Sequence, residues 1–282
     1  MTATPINTAS RLATDPPDFM AQRVRHPLRF RTLDVRDVRR ITPHLVRVTL
    51  GGDDLEGFAS PGFDDHVKLF FPDPVTGVLV LPTIGPDGPI WPEGAKPVMR
   101  DYTPRRFDAA ARTLEIDFAL HLAGPATLWA EQASPGQRLG VGGPKGSLMV
   151  PTGFDWHLLM GDDTALPAIS RRLAELPAGA RAEILLEVDG PGDHIAFESA
   201  AEIEVVWVHR DSAVAGSLPL LDALRRMRMP TGFFHAWIGC ESAQAKALRA
   251  YLVTECLASP KWIRASGYWR KGSAATHDAY DR

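Results

Sequence analysis

The 282-residue sequence predicts two consecutive domains, an antiparallel β-barrel followed by an α/β unit built on a parallel sheet. Three observations lead there. The length exceeds that of one typical domain, and a hydrophobic fraction of 45% is ample for two cores. Short strands punctuated by glycine and proline fill the first half, with one short helix among them. In the second half, near-continuous apolar runs alternate with helix-length segments, the pattern of parallel strands covered on both faces.

Residues 1–22, rich in Thr, Ala, Pro and Ser, are expected to form a flexible N-terminal arm. Strand texture begins at Phe30, where RFRTLDVRDVRRI and LVRVTLGG alternate partially, carry β-branched residues and end in turn signals. HVKLFFP is a short strand closed by Pro72, and GVLVLP beyond the PDPVTG turn predicts a hairpin. TIGPDGPIWPEGAKP reads as a long surface loop. In TLEIDFALHL, Leu114, Ile116, Phe118 and Leu120 alternate with less apolar neighbours, which marks a half-buried antiparallel strand. GPATLWAEQA is the short helix, and QRLGVGGPKGSLMV predicts a strand, a glycine-rich turn and another strand. Together these predict a six-stranded antiparallel barrel over residues 23–150.

The α/β domain is assigned to residues 151–272, with the boundary in VPTGFD and a C-terminal tail at 273–282. WHLLMGDDTA runs from an apolar strand into a turn, and ALPAISRRLAEL continues as an amphipathic helix. RAEILLEVDG and IEVVWVHR are strands separated by an acidic glycine loop. SLPLLDALRRM is a helix, FFHAWIG a strand, SAQAKALRAYLVTECLA a helix of 17 residues, and WIRASGYWRKG a closing strand with an aromatic-basic tail. No internal repeat suggests a solenoid or propeller.

Composition excludes several functions. A formal charge of −3 offers no long-range attraction for nucleic acid or anionic lipid. Cys240 and Cys256 cannot build a disulfide framework, and no Cys-x-x-Cys is present. The nine histidines show no His-x-x-x-His spacing, and no serine nucleophile elbow appears, so metal and hydrolase sites are not expected. Without a long apolar run or a secretory leader, a cytoplasmic protein with no stable membrane association is expected. No heptad pattern suggests an assembly, so a monomer is expected.

Four clusters could carry chemistry. Arg100-Asp101-Tyr102-Thr103-Pro104 combines a guanidinium fork suited to diphosphate, a flat phenol and a hydroxyl; Pro104 forces Thr103 into extended backbone. His121 to Trp129 places Gly124-Pro125 before Ala126 and Thr127, so free backbone N–H groups start a helix where phosphate could sit. Gly161 to Pro167 stands where the first parallel strand meets the first helix, the usual ligand position in open α/β sheets. It lacks the Gly-x-Gly-x-x-Gly fingerprint, and its two acids would repel phosphate. Gly267 to Gly272 holds Tyr268, Trp269, Arg270 and Lys271, which could cover a flat ring or hold an anion. Taken singly, each also reads as an ordinary strand end, cap or surface segment.

In order, HVKLFF, RDYTPRRFD, IDFALH with GPATLWA, GDDTALPAI, WVHR, HAWIG and SGYWRKG span Phe30 to Gly272. This set resembles the siderophore-interacting protein family, the flavin-dependent ferric-siderophore reductases of the ferredoxin-reductase-like superfamily. The resemblance implies that the barrel binds FAD, with Arg100 on the pyrophosphate, Tyr102 against the flavin and Thr103 hydrogen-bonded near the isoalloxazine. His121, Ala126 and Thr127 match the second FAD-binding stretch, and Asp117 is expected to help hold it. Gly161, Asp163, Thr164 and Ala165 occupy the superfamily's nicotinamide-nucleotide position. Trp269 reaches back towards the flavin, and Lys68, Arg270 and Lys271 are expected to receive an anionic ferric siderophore.

The implied activity is reduction of a ferric siderophore by NADH, NADPH or ferredoxin through FAD, with release of Fe(II). Two alternatives share these residues: a flavoprotein reductase acting on free flavin, ferredoxin or a small oxidant, and a non-catalytic siderophore-binding protein. Departures from the family pattern are Asp163 where Glu is usual, Leu122 where Gly often follows His121, and Cys240 where Gly or Ala is common. Cys240 reads as an inert core thiol. Arg210, at a strand end, could favour the extra phosphate of NADPH.

Overall fold

The computed structural model describes residues 19–94, 97–120, 124–214, 216–272 and 278–280. The first domain contains β1 (Gln22–Arg25), β2 (Phe30–Thr42), β3 (Leu45–Gly51), β4 (Val67–Phe70), β5 (Thr83–Gly85), β6 (Gly88–Ile90), β7 (Met99–Tyr102), β8 (Pro104–Asp108) and β9 (Thr113–Ala119). It continues with helix α1 (Pro125–Gln132), β10 (Arg138–Gly142) and β11 (Gly146–Met149). Seven of these strands form one antiparallel sheet in the order β7-β4-β10-β2-β3-β9-β8. Its two edge strands are consecutive in the chain, joined by Thr103 alone. A single residue advances the chain by only about 3.8 Å, so the two edges converge at Thr103 and the sheet must curl. The result is a curled seven-stranded half-barrel rather than the expected six strands.

Alternation decides its inside. Leu33 and Val35, Val48 and Leu50, Val67 and Leu69, Leu114, Ile116 and Phe118, and Leu139 and Val141 all meet in one core. The expected hairpin at GVLVLP is absent; the hairpin is β5–β6, within the segment read as loop. The Asp73 carboxylate closes the preceding turn by accepting from the N–H groups of Val75 and Thr76. Leu81 then lies over Gly140, where an added Cβ would come within 2.4 Å of its Cδ2. That segment covers the sheet with side chains instead of pairing with it. Of the residues 1–22 expected as an arm, the described ones at its end pack on the fold. Phe19 packs on Phe154 with centroids 4.1 Å apart, and Gln22 pairs with Met149 in β1–β11.

The second domain comprises β12 (Trp156–Asp162), α2 (Leu166–Glu175), β13 (Arg181–Val188), β14 (Glu202–His209), α3 (Pro219–Arg226), β15 (Phe234–Glu241), α4 (Ser242–Thr254), β16 (Ile263–Trp269) and β17 (Asp278–Ala279). The order is β14-β13-β12-β15-β16-β17, parallel except for β17. Helices α3 and α4 cover one face, where Leu220, Leu224, Leu248 and Leu252 meet Leu158, Met160 and Ile238. On the other face, α2 packs Leu166, Ile169 and Leu173 against Leu159, Ile184 and Trp237, together with Leu45 and Phe63 of the barrel. α4 stops at Thr254, short of the 17 residues expected. Leu257 adopts φ 55°, and Ala258 N donates to Leu252 O, closing the helix end.

Polar contacts fasten the domains along this second face. Arg171 donates to Ser60 O and Pro104 O at 2.7 and 3.0 Å. The buried Asp64 carboxylate of the barrel accepts from Trp237 Nε1 at 3.2 Å and Arg264 Nε at 2.5 Å. No described helix is long and apolar enough to cross a membrane.

Candidate functional site

The C-terminal ends of β12, β15 and β16 face the point where the two edges of the curled sheet converge. A hydrogen bond between the hydroxyls of Tyr268 and Thr103 joins the two walls. In parallel sheets of order 3-2-1-4-5 the connections change direction between the first and fourth strands, here β12 and β15, and ligands bind at that switch.

On the barrel wall, β7 is an edge strand, so one row of its backbone groups faces away from the sheet. Its register with β4 pairs Tyr102 with Val67 and Arg100 with Leu69, which turns both site residues to the core side. Tyr102 is half-buried, 4.5 Å from the Phe118 ring between centroids, and Phe118 in turn lies 5.7 Å from Trp129 of α1. These contacts bring the edge strand and the helix to the same aromatic group. Burial pushes the Tyr102 phenol up, only partly offset by Arg100, so it stays protonated. Half-buried Arg100 donates to Met99 O at 2.7 Å and has no ion-pair partner among the described residues. Helix α1 begins with Pro125 after an extended Gly124, which has no side chain to cap it. Ala126 is buried and Thr127 half-buried at that first turn.

The remaining barrel candidates are placed differently. Thr103 is buried, with its hydroxyl shared with Tyr268. Asp117 faces away from the barrel core in a bidentate pair with Arg47, Nε to Oδ1 2.7 Å and Nη2 to Oδ2 2.8 Å, so Arg47 occupies both its oxygens. Lys68 pairs with Asp101 at 2.6 Å, on the sheet face opposite Arg100 and Tyr102. Because β7 is the sheet's margin, the two faces meet along its free side. His121 lies outside the described residues.

On the α/β wall, Asp162 is the hub. It is 1% exposed. Its Oδ1 accepts from Thr164 N at 3.0 Å and Thr164 Oγ1 at 2.5 Å, and its Oδ2 accepts from Trp269 Nε1 at 2.8 Å and Glu241 N at 3.1 Å. One carboxylate thus ties the switch-point strands to the C-terminal aromatic segment. Gly161 is needed for packing: a Cβ there would lie 2.3 Å from Ala165 Cβ and 2.6 Å from Gly239 O. Gly161 and Ala165 are buried, so they shape the turn and present no side chain to a nucleotide. Asp163 is also buried and accepts from Arg210 Nη1 at 3.1 Å.

Arg210, which could favour a phosphate, stands among carboxylates. Its guanidinium is held by Asp163, by Glu187 through Nε at 2.9 Å, and by Asp189. Burial alone would push it down, but Asp163 and Glu187 outweigh that and raise it above the ordinary arginine value. Trp269 is half-buried, while Arg270 and Lys271 are exposed. Glu241 caps α4, accepting from Ala243 N and Gln244 N, and its other oxygen accepts from Lys271 N at 3.3 Å. Cys240 is a buried core thiol, pushed well up by burial and then by Asp162.

Sequence reasoning missed Asp162, Glu241 and Tyr268 as organisers. Two adjacent aspartates look alike in a sequence; strand register alone gives them different jobs. The available signal was position, since Asp162 and Glu241 end the two apolar strands that flank the switch.

Comparison with known proteins agrees with this layout. A family model for the siderophore-interacting FAD-binding domain matches residues 34–148, and one for the siderophore-interacting protein matches residues 154–272. The NADPH-dependent ferric-chelate reductase of Escherichia coli (strain K12) is 39% identical over 253 residues, covering 88% of this chain and 96% of the relative. Ferric vibriobactin reductase ViuB of Vibrio cholerae is 36% identical over 245 residues, covering 86% and 90%. Among solved structures, a siderophore utilization protein from T. fusca superposes with a TM-score of 0.85 at 41% identity, covering 91% of this chain and 98% of that one. The chain belongs to the siderophore-interacting protein family of the ferredoxin-reductase-like superfamily, with an FAD-binding N-terminal domain.

Proposed function

We propose that this protein is an FAD-dependent ferric-siderophore reductase, taking electrons from NADH, NADPH or ferredoxin and releasing iron as Fe(II). The observation that carries this reading is Arg100, a half-buried guanidinium with no ion-pair partner among the described residues. A charge in such a place is stabilised by an anion. The start of α1, with Gly124 as its N-cap, offers backbone N–H groups suited to phosphate. These residues fit FAD: Arg100, Ala126 N–H and Thr127 would hold its pyrophosphate, and Tyr102 would pack against its ring. A bound FAD would supply the step from a two-electron donor to one-electron reduction of ferric iron.

The protein's own part is positional and electrostatic. Thr103 joins Tyr268 to the edge strand, and Asp162 fixes the Trp269 indole at the opposite wall. Lys68, Arg270 and Lys271 would draw an anionic ferric chelate towards the sheet margin despite the net charge of −3. His121 belongs to the same proposed FAD stretch. Gly161, Asp163, Thr164 and Ala165 would contribute to the donor's position through the shape of their turn, because their polar groups face inward. The names of the E. coli and V. cholerae relatives, both reductases of ferric chelates, support the same assignment.

The test is anaerobic absorbance spectroscopy of the purified protein through additions of NADH, NADPH, reduced ferredoxin and a ferric siderophore. Flavin absorbance bleached by a donor and restored by the chelate, with Fe(II) appearing, is the expected result. Flavin that bleaches but is not reoxidised by any ferric chelate would reject the substrate assignment. A protein that takes up no FAD would reject the reading altogether.

A further inference from the structure

The turn between β2 and β3 meets the loop between β13 and β14 at a second cluster, built from both domains. His44 comes from the barrel turn, and Asp189 and Asp193 come from the α/β loop. His44 Nδ1 lies 2.9 Å from Asp193 Oδ2 and 3.6 Å from Asp189 Oδ2. All three ligand atoms fall within 4.8 Å of one another. Two donors held about 2.1 Å from a first-row divalent ion stand about 3.0 Å apart at a right angle and about 3.4 Å apart at the tetrahedral angle. His44 Nδ1 and Asp193 Oδ2 share a hydrogen bond here, and a cation replacing its proton would find both separations to His44 on the scale of a coordination shell.

The carboxylates are also oriented. Asp193 Oδ1 accepts from the His44 backbone N–H at 3.2 Å, and Asp189 Oδ1 accepts from Arg210. Their other oxygens are the ones nearest His44 Nδ1. Outer hydrogen bonds that turn each ligand in this way are how metal sites hold their geometry. Side-chain exposure is 44% for His44 and 33% for Asp189, against 6% for Asp193, so an ion would have an open approach and one buried anchor. The positive charge of Arg210 beside Asp189 is balanced by Asp163 and Glu187.

We propose that His44, Asp189 and Asp193 bind one first-row divalent cation, which staples the half-barrel to the α/β domain. One imidazole nitrogen and two carboxylate oxygens suit Zn(II), Fe(II), Co(II) or Mn(II), with water completing the shell. Two negative ligands neutralise the ion. Nearby, His194 and His209 are a separate pair, with Nε2 atoms 2.8 Å apart and His194 stacked 4.3 Å from Trp207. They fall outside the three-residue group and contribute no carboxylate oxygen, which makes them the control. The site stands independently of the reductase reading.

The experiment uses the full chain, stripped with a chelator and titrated with Co(II) and then Zn(II). Calorimetry, Co(II) visible absorption and thermal unfolding are read together. One equivalent should bind with a visible Co(II) band, and the melting midpoint should rise because the ion needs both domains in place. His44→Gln keeps a hydrogen-bond donor for Asp193 and should weaken Co(II) binding by roughly tenfold or more. Asp189→Asn should do the same, while His194→Asn with His209→Asn should leave binding unchanged. Undiminished binding in His44→Gln, loss only in the His194/His209 variant, or no stoichiometric binding to the unmodified chain would each overturn the proposal.

Discussion

Two arginines at the ends of strands, one in each domain, have opposite surroundings. Arg100 on the barrel edge has no carboxylate partner among the described residues, whereas Arg210 at the end of β14 is held by Asp163, Glu187 and Asp189. The first is an arginine suited to an incoming anion; the second has its anions already, from the protein. The barrel edge thus presents a guanidinium with no described carboxylate on it, whereas the α/β strand ends gather three carboxylates around one. The ferredoxin-reductase-like layout leads one to expect a nucleotide at those strand ends. There Asp162 accepts from Thr164, Glu241 and Trp269.

The comparison can be broken most severely at Arg210. Arg210→Ala would leave Asp163 and Glu187 buried without their cation, and urea unfolding should show a loss of about 3–4 kcal/mol. A loss under about 1 kcal/mol would mean that the carboxylates do not need it. The next effect separates the domains by pH. His157, fully buried in β12, is pushed down to about 4 by burial first and by Arg172 second. The unfolded chain binds its proton from about pH 6.5 downward. Stability from this group is therefore whole above that value, and about 3 kcal/mol is lost as pH falls towards the folded value. Fluorescence of Trp156 and Trp237 in acid titrations should report the loss, and His157→Gln should flatten the dependence.

At the barrel edge, Arg100→Ala should weaken FAD by about 2 kcal/mol, roughly thirtyfold, measured by flavin fluorescence on reconstitution. Full flavin occupancy in the purified variant would dismiss Arg100 as the pyrophosphate ligand. Lys68→Ala should act least. Its exposed pair with Asp101 is worth under about 1 kcal/mol, so KM for an anionic ferric siderophore should rise a few-fold and KM for a neutral one should not. Equal effects on both would remove Lys68 from the substrate surface.

Legibility differed between the same two regions. Barrel strands announced themselves through period-two alternation, and Leu114, Ile116 and Phe118 point inward as that pattern requires. Gly124-Pro125 marked the start of α1, and the apolar runs of β12, β13 and β15 marked the parallel sheet. GVLVLP misled because an apolar run next to a turn fits a strand and a surface-covering segment equally well. Asp117 looked available because sequence shows its type but not Arg47 opposite it, 70 positions away. Gly161 drew notice as part of a nucleotide position by resemblance, and the constraint visible on it is close packing against the Gly239 carbonyl on the neighbouring strand.

By itself, the sequence determined most of the strands and helices and which faces are apolar, because these depend on periodicity and local chemistry; FAD entered through the resemblance of its motifs to a family. Tertiary structure alone decided which charges are already answered. Arg210 is closed by Asp163, Glu187 and Asp189, and His44 meets Asp193 across 149 positions, through contacts between segments distant in the chain. Arg100 carries the same formal charge. It differs because the carboxylate next to it in the strand, Asp101, lies on the opposite sheet face and is paired with Lys68.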